Sequence, residues 1–218
     1  VPIKILLFNN QIYGLTKGQA SPTSALGKVT KSTPFGVCDH PFNPIALAIG
    51  AEATFVARTL DRDRHHMTSV LRAAAQHQGA ALVEIYQNCP VFNDGPFFAL
   101  TEKETRDLNQ IRLETGQPIR FGVDSERGVA MRTDGRLEIV DVATVGADAL
   151  LVHDPGRVDP GLAFSLANLS SDPTGPTPIG VFRDIQRPVF GQKAQSDRAA
   201  TDDELADMLV SGDTWTIA

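Results

Sequence analysis

The chain has little cysteine, no long apolar run and no excess of positive charge, and each shortage closes a class of function. Its two cysteines, Cys38 and Cys89, are too few for a disulfide framework. No apolar stretch approaches the roughly 20 residues needed to span a bilayer. The opening residues read as a strand and not as a secretory signal, so the expectation is a soluble, cytoplasmic protein with no membrane role. A net charge of −6 over 218 residues argues against nucleic-acid binding, which needs a clustered basic face. There is no G-x-S-x-G elbow, no complete P-loop, no dinucleotide glycine fingerprint and no internal repeat. A zinc site from Cys38, His40 and Cys89 lacks paired ligand spacing such as C-x-x-C.

What is present begins at the first residues. Pro2 to Phe8 is an almost continuous apolar run, the pattern of a parallel strand covered on both faces. It runs straight into Asn9 and Asn10, and in such sheets ligands bind just past the carboxyl ends of strands. An asparagine amide oxygen is a neutral hard ligand suited to Mg²⁺. The carbonyl of Ile12, two residues on, is placed to point into the same site. The bland alternative is a turn closing the strand, which paired asparagines before a glycine commonly make.

The rest of the first hundred residues alternates strand and helix. Asn43-Pro44 predicts a capped helix start, and Gly50 its end. Thr54 to Arg58 reads as a second strand. Asp61 or Asp63 caps a helix whose Met67, Val70, Leu71 and Ala74 fall at helical spacing before Gly79. Ala81 to Tyr86 reads as a third strand. This order predicts right-handed crossovers and a parallel α/β sheet with helices on both faces. Asn9-Asn10 and Asn88-Cys89 then share one edge. From Glu102 the expectation is a charged helix through Leu113. A hairpin follows at Asp134-Gly135, a short helix over 160–169 and a loop over 171–178. His65, His66 and His77 are expected on a solvated helix face, and Trp215 as a packing anchor. The organisation expected is a core over 1–100 and an extension over 101–218 that packs on the core and on a partner subunit.

The continuation Tyr13-Gly14-Leu15-Thr16-Lys17-Gly18-Gln19-Ala20-Ser21-Pro22-Thr23-Ser24 resembles the thiamine-diphosphate loop of the β subunits of 2-oxoacid:ferredoxin oxidoreductases. The likeness continues through Phe42-Asn43-Pro44, Thr54 to Arg58, Cys89-Pro90-Val91-Phe92-Asn93-Asp94, Leu151 to Asp154, Pro178 to Arg183 and Ser211 to Trp215. It is nearest to the 2-oxoglutarate type. The resemblance implies thiamine diphosphate held through Mg²⁺, with Asn10 and the Ile12 carbonyl as metal ligands and Asn9, Gly14, Thr16 and Gln19 around the diphosphate. Leu15 and Lys17 stand where pyruvate-type relatives differ, which makes them candidates for substrate contact. Cys89 looks like one ligand of a 4Fe-4S cluster, while Cys38 matches no ligand of the family.

The activity implied is oxidative decarboxylation of a 2-oxoacid, 2-oxoglutarate first, to an acyl-CoA with reduction of ferredoxin. Partners implied are an α subunit in an α2β2 assembly, ferredoxin, coenzyme A and the 2-oxoacid. The α subunit would carry the glutamate that activates the cofactor, so no proton-transfer role falls on this chain. The family's G-D-G metal motif and its three other cluster cysteines are not among these 218 residues. The expectation is therefore the C-terminal portion of a longer subunit, inactive alone. Alternatives are a pyruvate or broad-range oxidoreductase of the same architecture, and a non-catalytic remnant that docks the α subunit.

Overall fold

A computed structural model describes residues 3–169, 175–188 and 201–212. Trp215 lies outside them. The first half follows the alternation of the sequence: β1 (Lys4–Asn9), α1 (Pro44–Gly50), β2 (Phe55–Leu60), α2 (Arg64–Gln76) and β3 (Ala81–Tyr86). Local chemistry sets the helix starts. The Asn43 side chain accepts from the Ala46 amide and Pro44 occupies the first turn, while the Asp63 carboxylate accepts from the His66 amide. Both satisfy donors that a helix N-terminus leaves without partners.

β1, β3 and β2 run parallel, with β3 in the middle. α2 covers one face, packing Val70 and Ala74 on Phe55, Ala57, Val83 and Ile85. On the other face α1 joins α6 (Gly161–Ala167) around Ile45, Ile49, Val56, Leu166 and Phe182. Helices thus lie on both faces, as crossover connections of parallel strands require.

Residues beyond 100 complete this sheet. β8 (Thr177–Asp184) pairs antiparallel with β2, and β4 (Gln110–Leu113) pairs parallel with β8, giving the order β1-β3-β2-β8-β4. The expected helix from Glu102 to Leu113 is corrected here. Two single turns, α3 (Phe98–Thr101) and α4 (Arg106–Asn109), lead into β4. Ile111 and Leu113 are buried while Arg112 is exposed, which is the alternation of a strand. The 171–178 loop also ends sooner than expected, since β8 opens at Thr177.

A separate three-stranded antiparallel sheet contains β5 (Arg120–Phe121), β6 (Arg127–Met131) and β7 (Leu137–Asp141). Its hairpin turns at Asp134-Gly135, with Gly135 at φ 84°. Beyond it come α5 (Val142–Val145), a 3-10 turn at Ala147–Ala149, and α7 (Asp202–Val210), which opens on a Thr201–Glu204 capping box. No helix among the described residues is long and apolar enough to cross a membrane.

His77 is a second correction. It is buried, with its ring bonded to the Thr54 hydroxyl and the Asp184 carboxylate, both at 2.8 Å. As the residue that ends α2 it ties that helix to β8 and does not sit on a solvated face.

Candidate functional site

β1 is an edge strand whose last residue begins a tight turn. Asn9 is buried, and its Oδ1 accepts from the Gln11 amide at 3.1 Å and from the Thr23 hydroxyl at 2.8 Å. Asn10 Oδ1 accepts from the Ile12 amide at 3.2 Å. These are two successive Asx turns. They hold Gln11 at φ 56°, a left-handed conformation that a non-glycine residue keeps only where its surroundings over-determine it. The Ser24 hydroxyl adds a bond to the Gln11 carbonyl at 2.6 Å. The turn places Asn10 Oδ1 and the Ile12 carbonyl two residues apart. Ile12 is buried, and among the described residues its carbonyl accepts no hydrogen bond.

The sequence after it folds into a compact loop. Tyr13 donates to the Gln19 carbonyl at 2.9 Å, and Gly18 to the Tyr13 carbonyl at 3.0 Å. The Thr16 hydroxyl turns back to the Tyr13 carbonyl at 3.3 Å. Lys17 sits at φ 64° and Gly18 at φ 97°. A Cβ added to Gly18 would lie 3.2 Å from the Phe92 ring, so the loop backbone rests close on that ring. The loop tip points outward: Leu15 is 98% exposed, and Thr16, Lys17 and Gln19 are exposed too.

The segment after β3 docks on this turn. Asn93 donates to the Asn10 carbonyl at 2.9 Å and accepts from the Lys28 ammonium at 2.6 Å. Its amide closes back on the Cys89 carbonyl at 2.9 Å, which brings Cys89, partly exposed, into the same segment. Cys38 is exposed, beside a cavity of about 520 Å³ lined by Tyr13, Ser21, Thr33, His40 and Phe42. No group of three or more His, Cys, Asp or Glu residues among those described could hold a metal ion.

Beneath the turn lies a charged cluster that pattern reading missed. Glu84 in β3 is fully buried and Arg58 in β2 is 3% exposed. The two are register partners, bonded Nε to Oε2 at 2.7 Å. The other carboxylate oxygen accepts from Asn9 Nδ2 at 2.7 Å, and Arg58 also donates to the Pro178 carbonyl at 3.3 Å. The guanidinium carbon lies 5.0 Å from the Tyr86 ring centre and 5.6 Å from that of Phe182. Burial works against the charge on Arg58, but Tyr86 and Glu84 outweigh it and hold its pKa above the ordinary value. Burial pushes the Tyr86 phenol well up, so that it stays neutral. One signal was available in the sequence: an arginine and a glutamate inside otherwise apolar central strands.

The fold is that of a doubly covered, mostly parallel α/β domain with an asparagine turn at one strand end, and residues 1–85 match the C-terminal TPP binding domain of thiamine pyrophosphate enzymes. The whole chain is 51% identical over 224 aligned residues to the 2-oxoglutarate oxidoreductase subunit KorB of Mycobacterium tuberculosis, spanning 60% of that relative's length. It is 46% identical over 94 residues, 43% of this chain and 31% of the relative, to a 2-oxoacid:ferredoxin oxidoreductase subunit beta of Saccharolobus solfataricus. Over the lengths aligned, the chain is similar to β subunits of the 2-oxoacid:ferredoxin oxidoreductases, and it spans less than two thirds of these relatives. The fold is also that of a 2-oxoglutarate:ferredoxin oxidoreductase from Magnetococcus marinus. That likeness has a TM-score of 0.62 and 24% identity, and covers 96% of this chain and 58% of the other.

Proposed function

We propose that this chain forms the Mg²⁺-diphosphate site of a 2-oxoacid:ferredoxin oxidoreductase that converts 2-oxoglutarate to its acyl-CoA together with an α subunit, coenzyme A and ferredoxin. The observation that carries the reading is the turn after β1, which offers Asn10 Oδ1 and the free Ile12 carbonyl within three residues. Two hard neutral oxygens at fixed spacing suit Mg²⁺, which demands near-octahedral geometry and shares its shell with phosphate oxygens. The residues present therefore fit the cofactor. Asn10 and Ile12 would hold the metal, with Asn9, Gly14, Thr16 and Gln19 around the diphosphate.

Bound there, thiamine diphosphate supplies the carbon nucleophile on which decarboxylation of a 2-oxoacid depends. Among this chain's own groups, Asn93 braces the Asn10 carbonyl, and Lys17 carries an exposed ammonium on the loop tip. A second carboxylate on the substrate would pair with that ammonium, and pyruvate has none. Leu15 on the loop and Leu26, Val29 and Phe35 in the segment that follows it are exposed, apolar side chains of the kind that an obligate partner subunit covers.

A 4Fe-4S cluster needs four thiolates, and this chain does not build one. Cys89 would be one ligand, with the others supplied by sequence outside these residues.

The test is Asn10→Ala in the complete subunit assembled with its partner. Titration of thiamine diphosphate at fixed Mg²⁺ should show affinity lower by about tenfold or more, one ligand of a demanding site having been removed. Wild-type affinity in that variant would refute the assignment.

A further inference from the structure

We infer that Glu84, backed by Arg58, is a positioning residue for the metal turn, acting through Asn9 on the atoms of Asn10 and Ile12. This role rests on the metal-diphosphate reading above and adds residues that touch neither metal nor cofactor.

Donors and acceptors decide the matter. An asparagine amide has two nearly isosteric ends, one accepting and one donating. At Asn9 the accepting end must face the Gln11 amide, because a backbone N–H can only donate. The other end must therefore donate, and it faces Glu84 Oε1 at 2.7 Å. A carboxylate only accepts, so Glu84 admits the amide in one orientation. Arg58 occupies the remaining oxygen at 2.7 Å with another donor and balances the charge of a fully buried carboxylate. Thr23 donates to Asn9 Oδ1 at 2.8 Å, which reinforces the same orientation.

The consequence reaches the ligands through the backbone. The Asn9–Gln11 turn is what holds Gln11 at φ 56°, and that dihedral lies between the residues that present Asn10 Oδ1 and the Ile12 carbonyl. An amide free to flip would set two N–H groups against each other and release the turn. Outer groups that orient metal ligands in this way typically account for 10–100-fold in metal affinity.

The same polarity predicts a swap. In Glu84→Gln, the new amide must turn a donor toward either Asn9 Nδ2 or Arg58 Nε, and both already donate. Combining it with Asn9→Asp restores every contact. The nitrogen of the introduced amide would donate to the introduced carboxylate, and its oxygen would accept from Arg58. The carboxylate would in turn accept from Gln11 and Thr23. Asn9→Asp alone sets two carboxylates face to face.

The experiment is calorimetric titration of thiamine diphosphate at fixed Mg²⁺ into the cofactor-stripped α–β complex, with thermal unfolding of each variant alongside. Glu84→Gln should raise Kd about tenfold or more, and the Asn9→Asp/Glu84→Gln pair should return it to within about threefold of wild type. Asn9→Asp alone should bind worse than the pair. It brings the same charge toward the metal, so attraction of Mg²⁺ cannot explain a rescue by the pair. Adding Glu84→Gln to Asn10→Ala should weaken binding by a smaller factor than Glu84→Gln does alone, because one of the two positioned ligands is already gone and the Ile12 carbonyl alone remains to be misplaced; a merely structural loss would add in full.

If Asn10→Ala weakens binding but folded Glu84→Gln binds like wild type, the positioning role alone is overturned. If Asn10→Ala also binds like wild type, the metal reading falls and takes this inference with it. Should Glu84→Gln fail to fold, Thr23→Val removes the outer donor to Asn9 Oδ1. It should raise Kd about threefold, and an unchanged Kd would overturn the inference.

Discussion

Replacing Arg58 by Met tests whether the buried pair is held by charge balance or only by packing. The linear side chain keeps contact with Tyr86 and Phe182 but leaves Glu84, fully buried, with Asn9 as its remaining partner. Breaking a buried pair by removing one partner costs about 3–5 kcal/mol, because the orphaned charge keeps its desolvation penalty. A cavity of about 100 Å³ lined by Asn9, Thr23, Arg58 and Glu84 admits water to the site, which favours the lower half of that range. Deleting the charge as well, in Arg58→Met/Glu84→Leu, shares with the single variant the loss of the Arg58 bond to the Pro178 carbonyl and adds only an Asn9 amide without an acceptor. That costs about 1–3 kcal/mol. The double variant should therefore be more stable than the single. Urea unfolding of the complete subunit, followed by far-UV circular dichroism, measures both. A loss below about 1 kcal/mol for Arg58→Met, or a double variant less stable than the single, would refute the reasoning.

Three further outcomes are expected. Burial holds the His153 imidazole below its ordinary value of 6.5, against the opposing Val181 carbonyl and Asp154. Stability should thus be flat above pH 6.5 and fall below it, where the unfolded chain binds a proton that the folded one refuses. His153→Gln should flatten unfolding midpoints measured between neutrality and about pH 5. At the loop tip, Leu15→Asn/Lys17→Gly should lower the 2-oxoglutarate to pyruvate ratio of kcat/KM. The ammonium is lost, while glycine accepts the φ of 64° without strain. An unchanged ratio would return Lys17 to the surface. Gly180→Ala should destabilise by about 1–3 kcal/mol in thermal melts, since Gly180 has φ 122° and a Cβ there would lie 2.9 Å from the Leu113 carbonyl oxygen.

The parts legible in the sequence were those that local chemistry decides. β1, β2 and β3 announce themselves as apolar runs, α1 and α2 by the caps Asn43 and Asp63, and the hairpin by Asp134-Gly135. β4 was hidden because four residues are too few to show a period, and its pairing with β8 is non-local. β8 carries Pro178 and a positive-φ Gly180 inside the strand, both of which argue against a strand when read alone. In the candidate site, the turn formed by Asn9, Asn10 and Ile12 could be anticipated from the paired asparagines that follow the strand. Arg58 and Glu84 showed only as charges inside apolar strands, and their pairing, like the contacts of Thr23 and Asn93, could not be read, since the partners lie 14 to 120 residues away in sequence.

The placement of β8 next to β2 also orders events as the chain is made. Arg58 and Glu84 are 26 residues apart and can meet early, but the Pro178 carbonyl that covers Arg58 comes 120 residues after it. At cellular synthesis rates that interval is on the order of ten seconds. During it the pair stays hydrated on an open sheet edge, where an exposed ion pair is worth little. A nascent β2 with a charged residue at its centre is a poor surface for premature apolar collapse, and a poor template for a stray strand. Desolvation of the pair coincides with arrival of β8, so a strand made some 120 residues later is the one that locks the support beneath the asparagine turn.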